Sequence, residues 1–259
     1  MSPILKVSNL NRNFGAVVAA SDVNLSIFDK EIVAVIGSNG AGKTTFVNMV
    51  TGYLKPTSGT IRFKEKDITG LSPKEVCQAG LCRSFQVAQL FPALTTLENM
   101  MIAFAMLQVG RSSFFRPLDN RKARARSLKV LESFGIADHA DAKVKTLAQG
   151  VRKLLDISMA MVSRPALLLL DEPTSGVAID EKFTLMETVM AGVCESGAAV
   201  MFIEHDMEIV SHFASRTVAF YEGTIIADGP TAIALSDDRV REFIVGEIQE
   251  AAITETAHD

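Results

Sequence analysis

The sequence is poor in the features that define fibrous, disulfide-stapled and disordered proteins. Its 259 residues include 17 glycines and 3 cysteines, too few for a collagen-like chain or a disulfide scaffold. The 26 basic and 30 acidic residues leave a net charge of −4, and 48% of the residues are hydrophobic, whereas disorder requires low hydrophobicity and high net charge. The length is sufficient for one large globular domain or two modest ones, each with a hydrophobic core.

Long apolar stretches and a secretion signal are also missing. The mean hydropathy of +0.23 is high, yet the longest purely apolar stretch covers only residues 100–107, and others, such as residues 166–170, are shorter. Both are far shorter than the ~20 residues that a membrane-spanning helix needs. Residues 1–6 do not have the charged and then apolar pattern of a signal peptide. We therefore expect a cytoplasmic chain without a membrane-spanning helix.

Cysteine spacing and charge distribution argue against a metal cluster and against nucleic-acid binding. Cys77, Cys82 and Cys194 are scattered without metal-ligand spacing, which favours buried, reduced thiols in a reducing cytosol. The acidic balance disfavours a nucleic-acid partner, because such proteins usually carry a basic stripe. We interpret the one basic cluster, within residues 121–126, as a solvated helix face, and we expect no nucleic-acid partner.

The hydrophobic pattern predicts an α/β fold with a helical insert. Residues 32–36 and 166–170 are apolar throughout, as parallel strands covered on both faces must be. Val23, Leu25 and Ile27 alternate with polar residues, as in a half-buried strand. Residues from about 90 to 161 have helical character, and a capping box at Thr95 and Glu98 precedes an apolar run. A hairpin is expected at residues 218–227, and a short helical tail around residues 239–248.

A glycine-rich segment carries the first chemical motif. Residues 37–44 match the P-loop pattern G-x-x-x-x-G-K-S/T between a buried strand and a helix. The glycines let backbone N–H groups turn toward phosphate oxygens, and the following helix N-terminus favours the same anion. Lys43 would bind the β- and γ-phosphates, and the Thr44 hydroxyl would ligate Mg²⁺. A chance glycine-rich turn is the weaker explanation of the full pattern.

Two adjacent carboxylates form the second motif. Residues 167–170 are four leucines, and Asp171 and Glu172 follow them at the carboxyl end of the predicted strand, where open α/β sheets bind ligands. Asp171 would hold Mg²⁺ directly or through water, and Glu172 would act as general base on the attacking water. Two acids that merely cap the next element are the alternative. Together with the P-loop, the pair predicts a nucleoside triphosphatase.

Further residues make the chain similar to the ATP-binding subunits of ABC transporters over nearly its whole length. Phe14 stands where that family has the aromatic residue that stacks on adenine, although alone it would suit the edge of a core. Gln86 matches the Q-loop glutamine, which reaches Mg²⁺ and the attacking water. His205 matches the switch histidine that contacts the γ-phosphate, although a lone histidine at a strand end is usually a capping or surface group.

The resemblance implies both an architecture and a set of site residues. The expected fold is a P-loop NTPase (RecA-like) core with an antiparallel β subdomain and an inserted α-helical subdomain. Residues 1–86 and 164–228 would form the β subdomain and core, residues 87–163 the helical subdomain, and residues 229–259 a helical tail. The implied catalytic residues are Glu172, His205 and Gln86, and the implied Mg²⁺ ligands are Thr44, Gln86 and Asp171. ATP would be bound by Phe14, Gly37, Ser38, Asn39, Gly40, Ala41, Gly42, Lys43, Thr44 and Thr45.

The signature sequence departs from the family pattern. The family usually has L-S-G-G-Q, and this chain has Leu147, Ala148, Gln149, Gly150 and Val151. Ala148 lacks the serine hydroxyl that would bond the γ-phosphate, and the loss of one donor to an anion costs ~1–3 kcal/mol. In this family two ATPases dimerise head to tail, and each signature acts on the partner's ATP. The departure would therefore weaken the partner's site and not the site built on Lys43.

The partners and the transported solute follow from the resemblance alone. A relaxed signature, a long helical insert and the C-terminal tail resemble the branched-chain (hydrophobic) amino acid importer subfamily. Importers of urea, amides and aromatic acids share that architecture. The resemblance implies a second, different ATP-binding subunit, two membrane permeases and a periplasmic solute-binding protein, with this chain on the cytoplasmic face of the bacterial inner membrane.

Three alternatives remain open on the sequence alone. The first is the homodimeric ATPase of another transporter class, such as lipid or lipopolysaccharide export. The second is a non-transport ATPase of translation or DNA repair, which usually has two cassettes or long coiled-coil or zinc inserts. The third is a catalytically silent regulatory module, against which Lys43, Asp171, Glu172 and His205 argue.

Overall fold

The computed structural model describes residues 2–84, 90–108 and 121–246. The strands are β1 (Leu5–Phe14), β2 (Val17–Ile27), β3 (Ile32–Gly37), β4 (Ser58–Phe63), β5 (Lys66–Asp67), β6 (Leu81–Arg83), β7 (Leu167–Asp171), β8 (Ala199–Ile203), β9 (Arg216–Tyr221) and β10 (Thr224–Pro230). The α-helices are α1 (Lys43–Val50), α2 (Pro73–Ala79), α3 (Thr96–Gln108), α4 (Arg121–Ser133), α5 (Gln149–Met161), α6 (Ile179–Ser196), α7 (Met207–Phe213), α8 (Thr231–Ala234) and α9 (Asp238–Val240).

A six-stranded sheet organises the molecule, in the order β10-β9-β3-β8-β7-β6. The neighbours from β9 to β6 are parallel, and β10 adds an antiparallel edge. The central strands are apolar throughout because both faces of this sheet are covered. Val33 and Val35 face a core shared with α1, whereas Ala34 and Ile36 face a core shared with α3 to α7. The strands predicted to be doubly covered are therefore confirmed.

A second, antiparallel sheet contains the strands β2-β1-β4-β5 in that order. It packs its apolar side chains against the α1 face of the large sheet, within one continuous core. In β2 the side chains of Val23, Leu25 and Ile27 are buried, and the residues between them are exposed or half-buried. The period-two alternation therefore predicted this half-buried strand correctly.

In the described part of the segment between β6 and β7, the α-helices are α3, α4 and α5. The start of α3 has the predicted capping box, because the Thr95 N–H donates to Glu98 Oε2 (2.7 Å) and the Glu98 N–H donates to Thr95 Oγ1 (3.1 Å). Met100 of α3, Leu131 of α4 and Leu155 of α5 are all buried in the same core. That core also contains the side of the large sheet opposite α1, so the helical insert packs on the strands that carry the chemistry.

The C-terminal part follows the prediction closely. Strands β9 and β10 form the expected hairpin, with Glu222 (φ 45°) and Gly223 (φ 78°) at its turn. The predicted tail is helical as far as it is described, first as α9 and then as a π-helical turn at Arg241–Val245. Within residues 2–84, 90–108 and 121–246, no helix has both the length and the apolar character needed to cross a membrane.

The cysteines depart from the expectation of buried thiols. Cys82 is buried, Cys77 is half-buried, and Cys194 is exposed. The expectation is wrong for Cys194 because it lies on the solvent side of α6, in a helix whose buried face is formed by other residues.

Candidate functional site

The P-loop joins β3 to α1 with a backbone that only glycine accommodates at two positions. Gly37 (φ 155°) and Gly42 (φ 97°) adopt positive φ, and a Cβ atom would lie 2.4 Å from the Phe220 carbonyl oxygen and 2.5 Å from the Ala19 carbonyl oxygen, respectively. Gly40 (φ 82°) instead faces open space, with no atom of the described chain within 4 Å of a Cβ built there. The loop is thus fixed at both ends and open at its middle, as a phosphate cradle requires.

Lys43 begins α1 and folds back onto this loop. Its side chain is buried, and its Nζ donates hydrogen bonds to the carbonyl oxygens of Gly37 (2.6 Å) and Ser38 (2.8 Å). Burial lowers the pKa of Lys43, and the nearby charges of Glu172 and Asp171 oppose this shift. The lysine and the two acids, which are far apart in sequence, are therefore brought together at one end of the sheet.

The strand register explains why these groups meet. In the parallel ladder, Val35 pairs with Ile203, and Ile203 pairs with Asp171. The carboxyl ends of β3, β8 and β7 therefore lie at the same level. The segments that follow these strands carry the P-loop, His205 and Glu172, so these groups lie next to one another at one edge of the sheet. Ligands of open α/β sheets bind at this edge.

Glu172 and His205 face each other across that edge. His205 Nε2 lies 3.2 Å from Glu172 Oε1, and both side chains are partly exposed. The Glu172 N–H donates to the Ile203 carbonyl oxygen at 3.1 Å, and Glu172 has φ 49°. Left-handed backbone at a non-glycine residue costs ~1–3 kcal/mol and persists where surrounding structure imposes it. The surrounding structure thus fixes the backbone of Glu172, the predicted general base, and its carboxylate lies beside His205.

Arg83 is a site residue that the sequence-based prediction did not identify. It ends β6, beside β7 in the sheet, and its guanidinium contacts Asp171 Oδ2 and donates to Asn48 Oδ1 of α1 at 2.7 Å. Arg83 and Asp171 are 11% and 4% exposed, so the ion pair is largely removed from water. Asp171 is therefore held by a cation from the neighbouring strand. The pairing depends on the register of β6 against β7, which no local pattern reveals.

Two further buried charges tie the loops of the site together. Glu204 Oε1 accepts from the Thr174 N–H (2.9 Å) and hydroxyl (2.7 Å), and Glu204 Oε2 accepts from the His205 N–H (3.2 Å). Lys153 Nζ of α5 donates to the Glu172 carbonyl oxygen at 2.9 Å. The loops after β7 and β8 are thus joined to each other, and the first turns of α5 are joined to Glu172.

Phe14 lies at the end of β1 on the surface. It is 48% exposed, and the Arg12 guanidinium lies over its ring at 4.5 Å. The core alternative for Phe14 is therefore wrong, because the ring is outside both hydrophobic cores. An exposed aromatic face can stack on a planar base, as its predicted role requires.

The signature residues form the entrance to α5. Leu147 is buried and anchors the turn, whereas Ala148 at the N-cap and Gln149 in the first turn are exposed. Gln149 lies against Gly176, since a Cβ at Gly176 would be 3.2 Å from Gln149 Nε2. The methyl group of Ala148 offers no hydrogen-bonding atom at this helix N-terminus. Within the predicted signature, residues 147–151, Ala148 and Gln149 are thus exposed at the surface, whereas Leu147 is buried.

Gln86 lies outside the described residues, so its predicted catalytic and Mg²⁺ roles stay predictions. The remaining predicted Mg²⁺ ligands are Thr44 at the start of α1 and Asp171 at the end of β7. In the described part of the chain, no group of three His, Cys, Asp or Glu residues is placed to hold a metal ion. Mg²⁺ in nucleotide sites is usually bound through one or two carboxylates, substrate phosphates and water, so this donor set fits it.

Comparison with known proteins decides the family. The sequence matches the ABC transporter family over residues 20–175, more than half of the chain. The chain belongs to the ABC transporter family. It is 34% identical to the high-affinity branched-chain amino acid transport ATP-binding protein LivG of Escherichia coli K12 over 249 residues, covering 93% of this chain and 98% of that protein. The corresponding protein BraF of Pseudomonas aeruginosa is also 34% identical, with coverages of 93% and 98%.

Solved ATP-binding cassettes of ABC transporters share the architecture. A nucleotide-free cassette has a TM-score of 0.81 at 30% identity and covers 93% of this chain and 98% of its own. A cassette in its ADP conformation has a TM-score of 0.82 at 28% identity, with coverages of 95% and 100%. The predicted fold class is thus confirmed. This ABC transporter chain is an ATP-binding cassette and an ATPase.

Proposed function

We propose that this ABC cassette is the ATP-hydrolysing subunit of an importer for branched-chain or other hydrophobic amino acids, or for a related small polar or carboxylate solute. The observation that carries this proposal is full-length similarity to LivG and BraF, whose names specify branched-chain amino acid transport. The intact site supports the hydrolytic half of the proposal, because Lys43, Asp171, Glu172 and His205 converge at one sheet edge. The alternative exporter class has no comparable support.

In the proposed reaction, the P-loop and Lys43 bind the triphosphate of ATP, and Phe14 stacks on the adenine. Glu172 accepts a proton from the water that attacks the γ-phosphorus. His205, already 3.2 Å from Glu172, orients that carboxylate and contacts the γ-phosphate. Thr44 and Asp171 would hold Mg²⁺, which would supply positive charge against the phosphates. Arg83 would keep Asp171 in place until the nucleotide arrives.

The exposure of two signature residues supports a head-to-tail dimer. Residues 148 and 149 are exposed and belong to the entrance of α5, so they are available to a nucleotide held by a partner cassette. ATP in such a dimer contacts both chains, and this differential binding is what favours the closed state. We propose that the partner is a different ATP-binding subunit, because a signature that lacks its serine weakens one of the two sites.

An apolar groove between the core and the helical insert supports a permease contact. The groove has a volume of about 320 Å³ and is lined by Tyr53, Phe91, Met106 and Leu107, all of which are exposed apolar side chains. Exposed apolar clusters mark contact sites for other proteins. We propose that a short helix of a membrane permease docks here, which places the chain on the cytoplasmic face of the bacterial inner membrane.

The residues that precede α3 differ in their placement near this groove. Phe91 lines the groove, whereas Leu90 packs against the core of the helical insert. Pro92 is exposed, and Gln89 lies outside the described residues.

Uptake by the assembled transporter tests the proposed function. The chain would be reconstituted in proteoliposomes with candidate permeases, a candidate second ATPase and a candidate solute-binding protein. Labelled leucine should accumulate with wild-type protein, whereas Glu172→Gln should bind ATP, because the P-loop is unchanged, yet lose at least 100-fold of the ATP turnover at its site.

The Glu172→Gln variant and the transport assay test the ATPase assignment and the importer assignment separately. Near-wild-type hydrolysis by Glu172→Gln in the complex would show that Glu172 is not the base. ATP-dependent export of lipid, without leucine uptake, would instead contradict the importer assignment and leave the ATPase assignment intact.

A further inference from the structure

Two cysteines lie in direct contact at the groove. Cys77 is in the last turn of α2, and Cys82 is in β6. Between them Gly80, with φ 105°, ends the helix and reverses the chain, so the two side chains return to the same place. Their Sγ atoms are 2.8 Å apart, and both are free thiols. A disulfide needs a sulfur separation of about 2.05 Å, which the pair reaches through a shift of under ~1 Å.

The two thiols have different environments. Cys82 is 4% exposed, and its sulfur also contacts the Ser163 hydroxyl oxygen at 3.1 Å. The hydrogen bond from Cys82 lowers the pKa of Cys77 to about 7, although burial opposes this shift. The same hydrogen bond and burial raise the pKa of Cys82. Cys77 is therefore the better nucleophile, and Cys82 is a neighbouring thiol that can react with oxidised Cys77.

In the free cassette, the groove gives small molecules access to this pair. Both cysteines line the same cavity of about 320 Å³, together with Phe91 and Met106. Cys77 is half-buried, so a molecule the size of a peroxide can reach its sulfur. Oxidation-sensitive cysteines are accessible, have a lowered pKa and stand next to a second cysteine that resolves the first product.

We propose that Cys77 and Cys82 form a redox-modification site that reacts with hydroperoxides and closes to a reversible intrachain disulfide. The Cys77 thiolate attacks the terminal peroxide oxygen, the O–O bond breaks, and the departing alkoxide or hydroxide takes a proton. The resulting Cys77 sulfenic acid is attacked by Cys82 sulfur, which displaces hydroxide and forms the S–S bond. The hydroxide leaves as water with the proton of the Cys82 thiol. In total, two thiols are oxidised, and one hydroperoxide is reduced to an alcohol, or to water for H₂O₂, plus one water.

The location gives the modification a structural consequence. The disulfide would tie the last turn of α2 to β6 and would change two of the side chains that line the groove. Cys82 also directly precedes Arg83, which holds Asp171. Cytosolic disulfides are usually transient and redox-sensing, and thiol reductants would reopen this one.

Peptide mapping of the purified full chain tests the proposal. The protein would be treated with hydrogen peroxide, alkylated, digested without reductant and analysed by mass spectrometry. We expect a peptide that contains Cys77 linked to Cys82, with alkylation of both restored by dithiothreitol, whereas Cys194 stays alkylated throughout. The assay requires no transport or ATPase activity, so its outcome is independent of the proposed function.

Two variants assign the roles. In Cys82→Ala, peroxide should leave a sulfenic acid on Cys77 that dimedone traps, whereas the wild type should give at least 10-fold less adduct because Cys82 consumes it. In Cys77→Ala, Cys82 should give neither product. Cys194→Ser is the matched control and should behave as the wild type. Full alkylation of Cys77 and Cys82 after peroxide, or oxidation confined to Cys194, would overturn the proposal.

Discussion

At the scale of single residues, Arg83 is a charged side chain whose contribution to stability depends on its ion-pair partner. It is the cation that contacts Asp171, and both side chains are nearly buried. Removal of one member of such a pair leaves the other charge uncompensated, which costs ~3–5 kcal/mol. Arg83 Nε has no hydrogen-bond partner among the described residues, so the pair and the bond to Asn48 carry the interaction.

Replacement of Arg83 should therefore destabilise the fold strongly. Arg83→Met is expected to lower the free energy of unfolding by about 3 kcal/mol or more, as measured by urea denaturation. The control is Arg239→Met, which removes an exposed pair with Asp237 and should cost under ~1 kcal/mol. Equal losses in the free energy of unfolding of the two variants would show that the buried pair stabilises the fold no more than the exposed pair.

Some site residues could be predicted from a local sequence motif, and others could not. The P-loop and the acids after residue 170 were predictable because their chemistry requires fixed residue types at fixed spacing beside a buried strand. Arg83 and Glu204 were not predictable, since Arg83 acts across β6 and β7, and Glu204 acts across the loops after β7 and β8. Contacts between strands distant in sequence are set by register, and the local sequence does not encode register.

At the scale of elements, periodicity and capping signals predicted most of the fold. The doubly covered strands, the half-buried β2 and the C-terminal hairpin all follow from alternation and turn residues. Helix boundaries are harder to predict than helix positions. Helix α6 covers Ile179–Ser196, and exposed polar residues at a helix end carry little hydrophobic signal.

The capping box of α3 offers a test at this scale. Thr95→Ala removes the hydroxyl that accepts from the Glu98 N–H and should lower the free energy of unfolding by ~1 kcal/mol. Thr188→Ala is the matched control, since its hydroxyl only donates to the Thr184 carbonyl oxygen within α6, a bond of little stabilising value. Chemical denaturation curves of both variants give the comparison, and a greater loss in Thr188→Ala would contradict the capping role.

At the scale of the whole molecule, the proposed head-to-tail dimer makes the signature of this cassette act on the ATP held by its partner. In a complex that carries Glu172→Gln, the remaining ATP turnover comes from the partner's site. The change of Ala148 to Ser with Gln149 to Gly should raise that turnover several-fold, since it restores a donor worth ~1–3 kcal/mol.

Site-specific trapping of labelled nucleotide in each half measures this effect. The free energy of unfolding of the double variant must be measured alongside, because Ser at the N-cap also stabilises α5. A larger change at the Lys43 site than at the partner's site would contradict the trans arrangement.

The groove gives the second prediction at this scale. Met106 and Leu107 are 68% and 53% exposed, and burial of one such side chain contributes ~1.5–3 kcal/mol. Conversion of both to Ser should weaken binding to the permease subunit by at least 10-fold while ATP binding by the isolated cassette stays unchanged. Ile233→Ser, a 66% exposed residue on α8, is the control and should bind normally. Equal binding by all variants would place the permease contact elsewhere.

The hydrogen bonds of Lys43 have a consequence for how nucleotide enters the cassette. The ammonium group already donates to two acceptors, the carbonyl oxygens of Gly37 and Ser38, so a phosphate that takes more than the third N–H must replace one of these bonds. These carbonyls are tethered to the lysine and act as an internal competitor at high effective concentration. The affinity for ATP would therefore reflect the exchange of these internal hydrogen bonds for phosphate contacts. Substitutions that weaken the internal bonds should tighten ATP binding, whereas those that remove phosphate contacts should weaken it.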